Sequence, residues 1–166
     1  MARHRLTNDD WGVESSCFVC EASNRHGLGL SFWADDERSV VEAEFALPAA
    51  YSGAPAVVHG GISLALLDEA QAWAVIAFGR QFGVTIETSA RFSGPVWIDH
   101  DYRVEGRVVG REGDVFSTDG RIVAADGTVC VEATARFLAV GEASAATLAA
   151  DSDDGNERLR RFLDPG

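Results

Sequence analysis

The apolar positions along the chain change period more than once. From Leu28 they alternate with polar or small residues: Leu28, Leu30 and Phe32, then Val40, Val41, Ala43 and Phe45, with Asp35-Asp36-Glu37 between the two runs. Two alternating runs around an acidic triplet predict a hairpin of two strands. Pro48, Gly53 and Pro55 then punctuate a loop. The stretch 61–78, GISLALLDEAQAWAVIAF, lacks proline, and its polar side chains are Ser63, Asp68, Glu69 and Gln71. It is too long for a strand and apolar nearly all round, which predicts a buried central helix, with Gly79 ending it.

Strand character returns after the helix. Runs at 84–92, 102–109, 115–125 and 128–140 are separated by Ser93-Gly94-Pro95, by Arg111-Glu112-Gly113-Asp114 and by Asp126-Gly127, the last a strong hairpin-turn signal. Short turns between consecutive strands mean antiparallel pairing. The flanks differ in kind. Residues 1–27 read as a polar, loop-rich entry segment with one short helical turn. Residues 141–166 read as an acidic, flexible tail in which 157–163 is the one candidate helix, too short to stand without docking. A helix apolar on every side must be wrapped, and a curved sheet is the partner available. The expectation is therefore a single α+β domain over 28–140 with the layout of the hotdog fold, a long central helix wrapped by a curved antiparallel β-sheet.

Composition narrows the chemistry. The 166 residues carry 14 positive side chains, all arginine, against 26 acidic ones, for a net charge of −12. Without lysine there is no Schiff base, no lysine-activated serine and no P-loop lysine. So acidic a chain is a poor match to nucleic acid, whose binding rests on neutralising many phosphates. The opening MARHRLTNDDWG has no apolar stretch behind its arginines, so no signal peptide is expected, and no run of 18 uninterrupted apolar residues predicts a membrane span. Three cysteines, an odd number, suit a reducing compartment, and a cytoplasmic location is expected.

Candidate chemistry gathers between His59 and Gln71. His59-Gly60-Gly61 opens the helix, where unpaired amides and the helix dipole favour an oxyanion. Asp68 lies mid-helix among apolar residues, where a carboxylate without partners is costly. Gln71 shares its face at a spacing of three, whereas Glu69 is turned about 100° away and reads as a solvated or subunit-boundary side chain. Seven residues separate Gly61 from Asp68, about 10 Å of helix. One helix cannot bring both to a single carbonyl. A two-fold dimer can, by setting the helix start of one subunit against the middle of the other.

The segment GAPAVVHGGISLALLDEAQAWA resembles the signature of hotdog-fold acyl-CoA thioesterases of the phenylacetate-pathway and thioesterase-superfamily type. The upstream CFVCEASNRHGLGLSF and the downstream GVTIETSARFSGPV are similar to the family's flanking segments, so the likeness covers roughly 17–140. It implies hydrolysis of an acyl-CoA or acyl-carrier-protein thioester by a homodimer or homotetramer, with no cofactor and no metal. By position it implies Asp68 as nucleophile or general base, and Gly60 as the oxyanion amide with Gly61 beside it. It further implies Thr85 as the hydroxyl that helps place water or carboxylate, and His59 as the histidine that shapes the site. The chain departs from the family at Gly53, where relatives often carry Asn or Gln, with Ser52 beside it. It departs also at Ala56, often glycine, and at Glu21 and Arg25. A non-catalytic acyl-CoA-binding protein is one alternative; a hydratase or dehydratase is the other, although there a histidine follows the Asp, and here it precedes it.

Other motifs are read more plainly. Cys17-x-x-Cys20 has the spacing of half a zinc site, but no second pair follows, and His26 and Cys130 would have to complete it. Cys130 reads as a small core hydrophobe. Trp11, Trp33, Trp73 and Trp97 read as core or acyl-pocket lining. No G-x-S-x-G elbow of a serine hydrolase is present. A CoA substrate would need arginines gathered at the site mouth, with Arg91, Arg103 and Arg107 as candidates.

Overall fold

The computed structural model describes residues 3–11 and 15–142, with the backbone alone for Trp11 and Glu142. The predicted helix is α1 (Gly60–Gly79). Around it run seven strands: β1 (Arg3–Leu6), β2 (Phe32–Asp35), β3 (Val40–Phe45), β4 (Gln81–Phe92), β5 (Tyr102–Glu112), β6 (Val115–Ala124) and β7 (Val129–Glu142). They form one antiparallel sheet in the order β1-β2-β3-β5-β6-β7-β4. The helix fills its concave side, as the sequence predicts. By length and composition α1 could also cross a membrane, although it holds no run of 18 uninterrupted apolar residues; here it lies inside the sheet.

Alternation explains which face is which. On β5, Tyr102, Val104 and Gly106 point to the helix and are buried, and Arg103, Glu105 and Arg107 point away. The helix comes closest at Gly106, where a Cβ would stand 2.7 Å from the Gln71 backbone nitrogen and closer still to the Ala70 carbonyl. Gln71 is fully buried there: its Oε1 accepts from Thr118 Oγ1 at 2.7 Å, and its Nε2 donates to the Leu67 carbonyl at 3.1 Å. It therefore anchors the helix to the sheet and does not share a ligand with Asp68, as its spacing suggested.

Several boundaries differ from the sequence reading. The entry segment contains β1, whose exposed Arg3, His4 and Arg5 carry no strand pattern and which exists through pairing with β2. Strand β7 continues through Gly141 and Glu142, into what was read as tail; the candidate helix at 157–163 lies outside the described residues. Gly79 does not reverse the chain. Arg80 does, at φ 56°, while Gly79 is required because a Cβ would meet the Phe116 ring at 2.7 Å. Cys130 and Trp73 are core as expected. Trp97 is exposed, Trp33 is half-buried under the Arg3 guanidinium, and the side chain of Trp11 lies outside the described residues.

Strand β4 forms one edge of the sheet and contains a bulge. Thr85 pairs with Phe137 and Glu87 with Arg136, so Ile86 is the extra residue. Phe137 is buried on the helix side and Arg136 is exposed. Thr85 therefore faces the helix, and so, beyond the bulge, do Thr88, Ala90 and Phe92, opposite Ala135, Ala133 and Val131. These last three β4 residues are exposed, with the start of α1 at Gly60 beside the Phe92 ring.

Candidate active site

The loop before α1 determines how the helix begins. His59 is its N-cap, and its Nδ1 accepts from the Gly61 N–H at 2.9 Å. An Nδ1 that accepts carries no proton, so the ring hydrogen is on Nε2. The N–H groups of Ile62 and Ser63 both reach the His59 carbonyl. The Gly61 amide, expected to be an oxyanion donor, is thus engaged by the cap. Gly60 keeps an N–H with no partner among the described residues, and it lines an open cleft of about 340 Å³ with Val58, Ser63, Phe92, Pro95 and Val96.

The loop also accounts for two departures from the family. At Gly53 a Cβ would lie 3.0 Å from the His59 Cα and 3.1 Å from its ring, so the imidazole fills the space an Asn or Gln would need. Ala56 sits at φ 64°, a left-handed conformation that explains why glycine is common there.

Asp68 faces outward on α1, on a stripe with Gly61, Leu64 and Ala72 that is half-exposed or exposed. Across from it Thr85 Oγ1 donates to Asp68 Oδ1 at 2.7 Å. A short hydroxyl bond to one oxygen orients the carboxylate and leaves the other free to face a substrate or water. Asp68 and Thr85 are therefore brought together. Gly60 lies eight residues before Asp68 on the same helix, about 12 Å along its axis, so the oxyanion amide and the carboxylate of one chain do not converge.

Glu69 is not the solvated side chain its position suggested. It is half-buried beneath the turn at 17–20, accepting from Cys17 Sγ at 3.4 Å and from Trp73 Nε1 at 3.1 Å. Burial pushes its pKa up to about 7 against the opposing bond from Cys20. The Cys20 side chain holds Cys17 down to about 5, and the same contact raises Cys20 above the ordinary thiol range. His26 and Cys130 do not join this group; the Cys130 sulfur faces the Thr128 carbonyl.

The arginines do gather, but around carboxylates. On the outer face of the sheet Glu105, 1% exposed, is met by Arg103 and Arg121 at 2.8 Å, Arg38 at 3.7 Å and Arg107 at 3.8 Å. Burial alone would push its carboxyl up, but Arg121 and Arg103 outweigh it and hold the group below its usual range. Arg103 and Arg107 are thus committed to Glu105, contrary to their expected role as phosphate ligands. Arg91 stays exposed over an outer hollow of about 570 Å³ that Glu105, Asp119 and Glu132 also line.

A long helix in a curved antiparallel sheet, with an oriented aspartate on its open side, can be compared with known families. Residues 56–131 match the family model of the thioesterase superfamily. This part of the chain is similar to the thioesterase superfamily, and the described chain has the hotdog fold. Among solved structures, the thioesterase-superfamily protein RHA08564 shares 28% identity at a TM-score of 0.70, over 78% of this chain and 64% of that one. The PaaI protein of the E. coli phenylacetic acid degradation operon shares the fold at 18% identity and a TM-score of 0.64, over 70% of this chain and 83% of that one. A hypothetical thioesterase from Streptococcus pneumoniae, solved with coenzyme A, does so at 21% and 0.60, over 63% and 84%. That pneumococcal protein has also been solved with alanine in place of an aspartate and, separately, of a threonine. An uncharacterised protein of Schizosaccharomyces pombe is 29% identical over 87 residues, 49% of this chain and half of that protein's length.

Proposed function

We propose that this hotdog domain belongs to the thioesterase superfamily and hydrolyses an acyl thioester, carried by coenzyme A or by an acyl carrier protein, at a site shared between two copies of the chain. The observation that carries this reading is the Thr85 to Asp68 hydrogen bond, which orients a carboxylate on the open side of a mostly apolar helix. Coenzyme A in the pneumococcal neighbour supports the carrier.

Geometry supports the second copy. Both halves of a hydrolytic site must lie about 3 Å from the reacting carbonyl, and one chain holds Gly60 and Asp68 too far apart. The outward stripe of α1 and the uncovered Thr88, Ala90 and Phe92 of β4 lie on the same open side, next to an edge strand 12 residues long. A two-fold partner laid against that edge would cover the stripe and these β4 residues and would bring its Asp68 towards this chain's Gly60. The thioester oxygen would then accept from the Gly60 N–H as negative charge develops on it. The partner subunit's Asp68, held by Thr85, would attack the carbonyl carbon or take a proton from the attacking water. In the first case the carbon–sulfur bond breaks to leave an Asp68 mixed anhydride, which water hydrolyses; in the second, water adds directly and the carbon–sulfur bond then breaks. In both, water supplies the new carboxylate oxygen and the proton that leaves with the thiol.

The test is the release of free thiol from short, long and aromatic acyl-CoAs and from an acyl carrier protein thioester. Asp68→Asn is expected to keep the fold by circular dichroism while turnover falls by orders of magnitude. An unchanged rate sinks the assignment. Binding of acyl-CoA by the wild type without thiol release would favour a ligand-binding protein, the reading that Gly53 suggests.

A further inference from the structure

We propose that Cys17, Cys20 and Glu69 form a binding site for a divalent metal ion of the zinc class, which fastens the N-terminal segment to the flank of α1. Among the described residues, these three bring one ligand atom each to within 4.8 Å of one another. Sulfurs bound tetrahedrally at about 2.3 Å from zinc lie about 3.8 Å apart, so small side-chain rotations close the cage. The two cysteines have the spacing of a zinc-binding pair, and two residues separated by 52 positions from Cys17 to Glu69 meet here only because the chain folds them together.

The turn is built to hold sulfur. The Val19 and Cys20 N–H groups point at Cys17 Sγ, at 3.3 and 3.5 Å, and Asn8 Nδ2 approaches Cys20 Sγ at 3.7 Å. Such donors favour the thiolate that a metal needs. Trp73 Nε1 fixes Glu69 Oε1 from behind, the outer contact that orients a ligating carboxylate. Charge points the same way. Glu105 is surrounded by four arginines, whereas Glu69 faces two thiols and an indole and has no ion pair with an Arg or His among the described residues. Two sulfurs and a carboxylate select zinc over magnesium or calcium. Binding expels both thiol protons to solvent and leaves one position of the tetrahedron for water. The site is distinct from the proposed hydrolytic one, because Glu69 points about 100° around the helix from Asp68, and the inference does not depend on that reading.

The test uses the full chain, free of any affinity tag, stripped of metal under reducing conditions and titrated with Co²⁺. One equivalent should bind with submicromolar affinity and produce the thiolate-to-cobalt charge-transfer absorption. Glu69→Gln should weaken binding by about tenfold or more, and Cys20→Ser should abolish the absorption. A measurement on the wild type alone guards against variants that fail to fold. Zn²⁺ should slow alkylation of Cys17 and Cys20, read peptide by peptide, and leave that of Cys130 unchanged. Absence of saturable Co²⁺ binding, binding without the thiolate band, or alkylation of Cys17 and Cys20 that ignores Zn²⁺ would each overturn the proposal.

Discussion

Replacing Thr85 by valine preserves the side chain's shape and deletes one contact, the 2.7 Å bond to Asp68. A hydrogen bond to a charged group contributes about 1.5–3 kcal/mol, and about 1.36 kcal/mol corresponds to a tenfold change in rate. If the carboxylate without that bond needs the same free energy to regain its reactive orientation in the transition state, kcat/KM falls by about 10- to 150-fold. Asp68 is half-exposed, so a water can take the hydroxyl's place, and the loss should sit near the lower end. Thr85→Ser returns the hydroxyl and should recover most of the rate. The assay is continuous thiol release from the best acyl-CoA, with kcat and KM separated and the thermal midpoint checked alongside. The loss should fall in kcat, because Thr85 positions the reacting carboxylate and does not hold the acyl group. Thr85→Val within twofold of wild type, or Thr85→Ser as damaged as Thr85→Val, would refute the reasoning.

Four further outcomes test the site and the frame around it. Gly106→Ala drives a Cβ into the Ala70 and Gln71 backbone, which has little room to yield; a destabilisation of about 3 kcal/mol is expected, as a lower urea midpoint with the slope unchanged, and a midpoint equal to wild type would contradict the close approach. Ala56→Gly relieves a left-handed alanine that costs about 1–2 kcal/mol, less the added freedom of the unfolded chain, so a gain of about 0.5–1 kcal/mol in a denaturant titration is expected. The Glu105 carboxyl is held below the ordinary glutamate value of 4.5, so its contribution to stability is complete above that pH and is lost as pH falls through the lower folded value. Arg121→Gln should therefore move acid unfolding, followed by circular dichroism, to higher pH, and an unmoved transition would remove Arg121 from the network. Light scattering of the wild type should give a dimer or a multiple of it; a strict monomer would count against the shared site.

Much of the architecture was legible because the apolar period carries it. The helix was recovered within one residue at each end, and the hairpins after it were marked by Gly113 and Gly127, both at positive φ. Strand β1 was not legible, since three of its four residues are exposed and its order comes from a partner strand. At the site, Asp68 stood out as an acid in an apolar helix, but its partner Thr85 came from family resemblance, because the bulge breaks the alternation that would have given its direction. The Gly61 amide was misassigned for a local reason: the cap depends on a His59 rotamer that spacing does not encode. Glu69 was misplaced because the turn that covers it comes from a segment read as loop. Contacts between distant segments, such as Cys17 with Glu69, leave no periodic trace.

The bulge at Ile86 makes strand length a functional variable. Deleting that one residue would let β4 pair with β7 in unbroken register from Gly83 to Phe92, and the edge would become more regular. The two halves of the strand could then no longer face the sides they face now. Either Thr85 would turn to the outer surface and Asp68 would lose its partner, or Thr88, Ala90 and Phe92 would turn outward in exchange for Glu87, Ser89 and Arg91. Glu87 and Arg91 would then stand on the open side of the sheet, where the proposed partner docks. Along this strand an insertion or deletion therefore exchanges whole faces, so homologous chains that preserve both functions should vary in side chains here far more readily than in length.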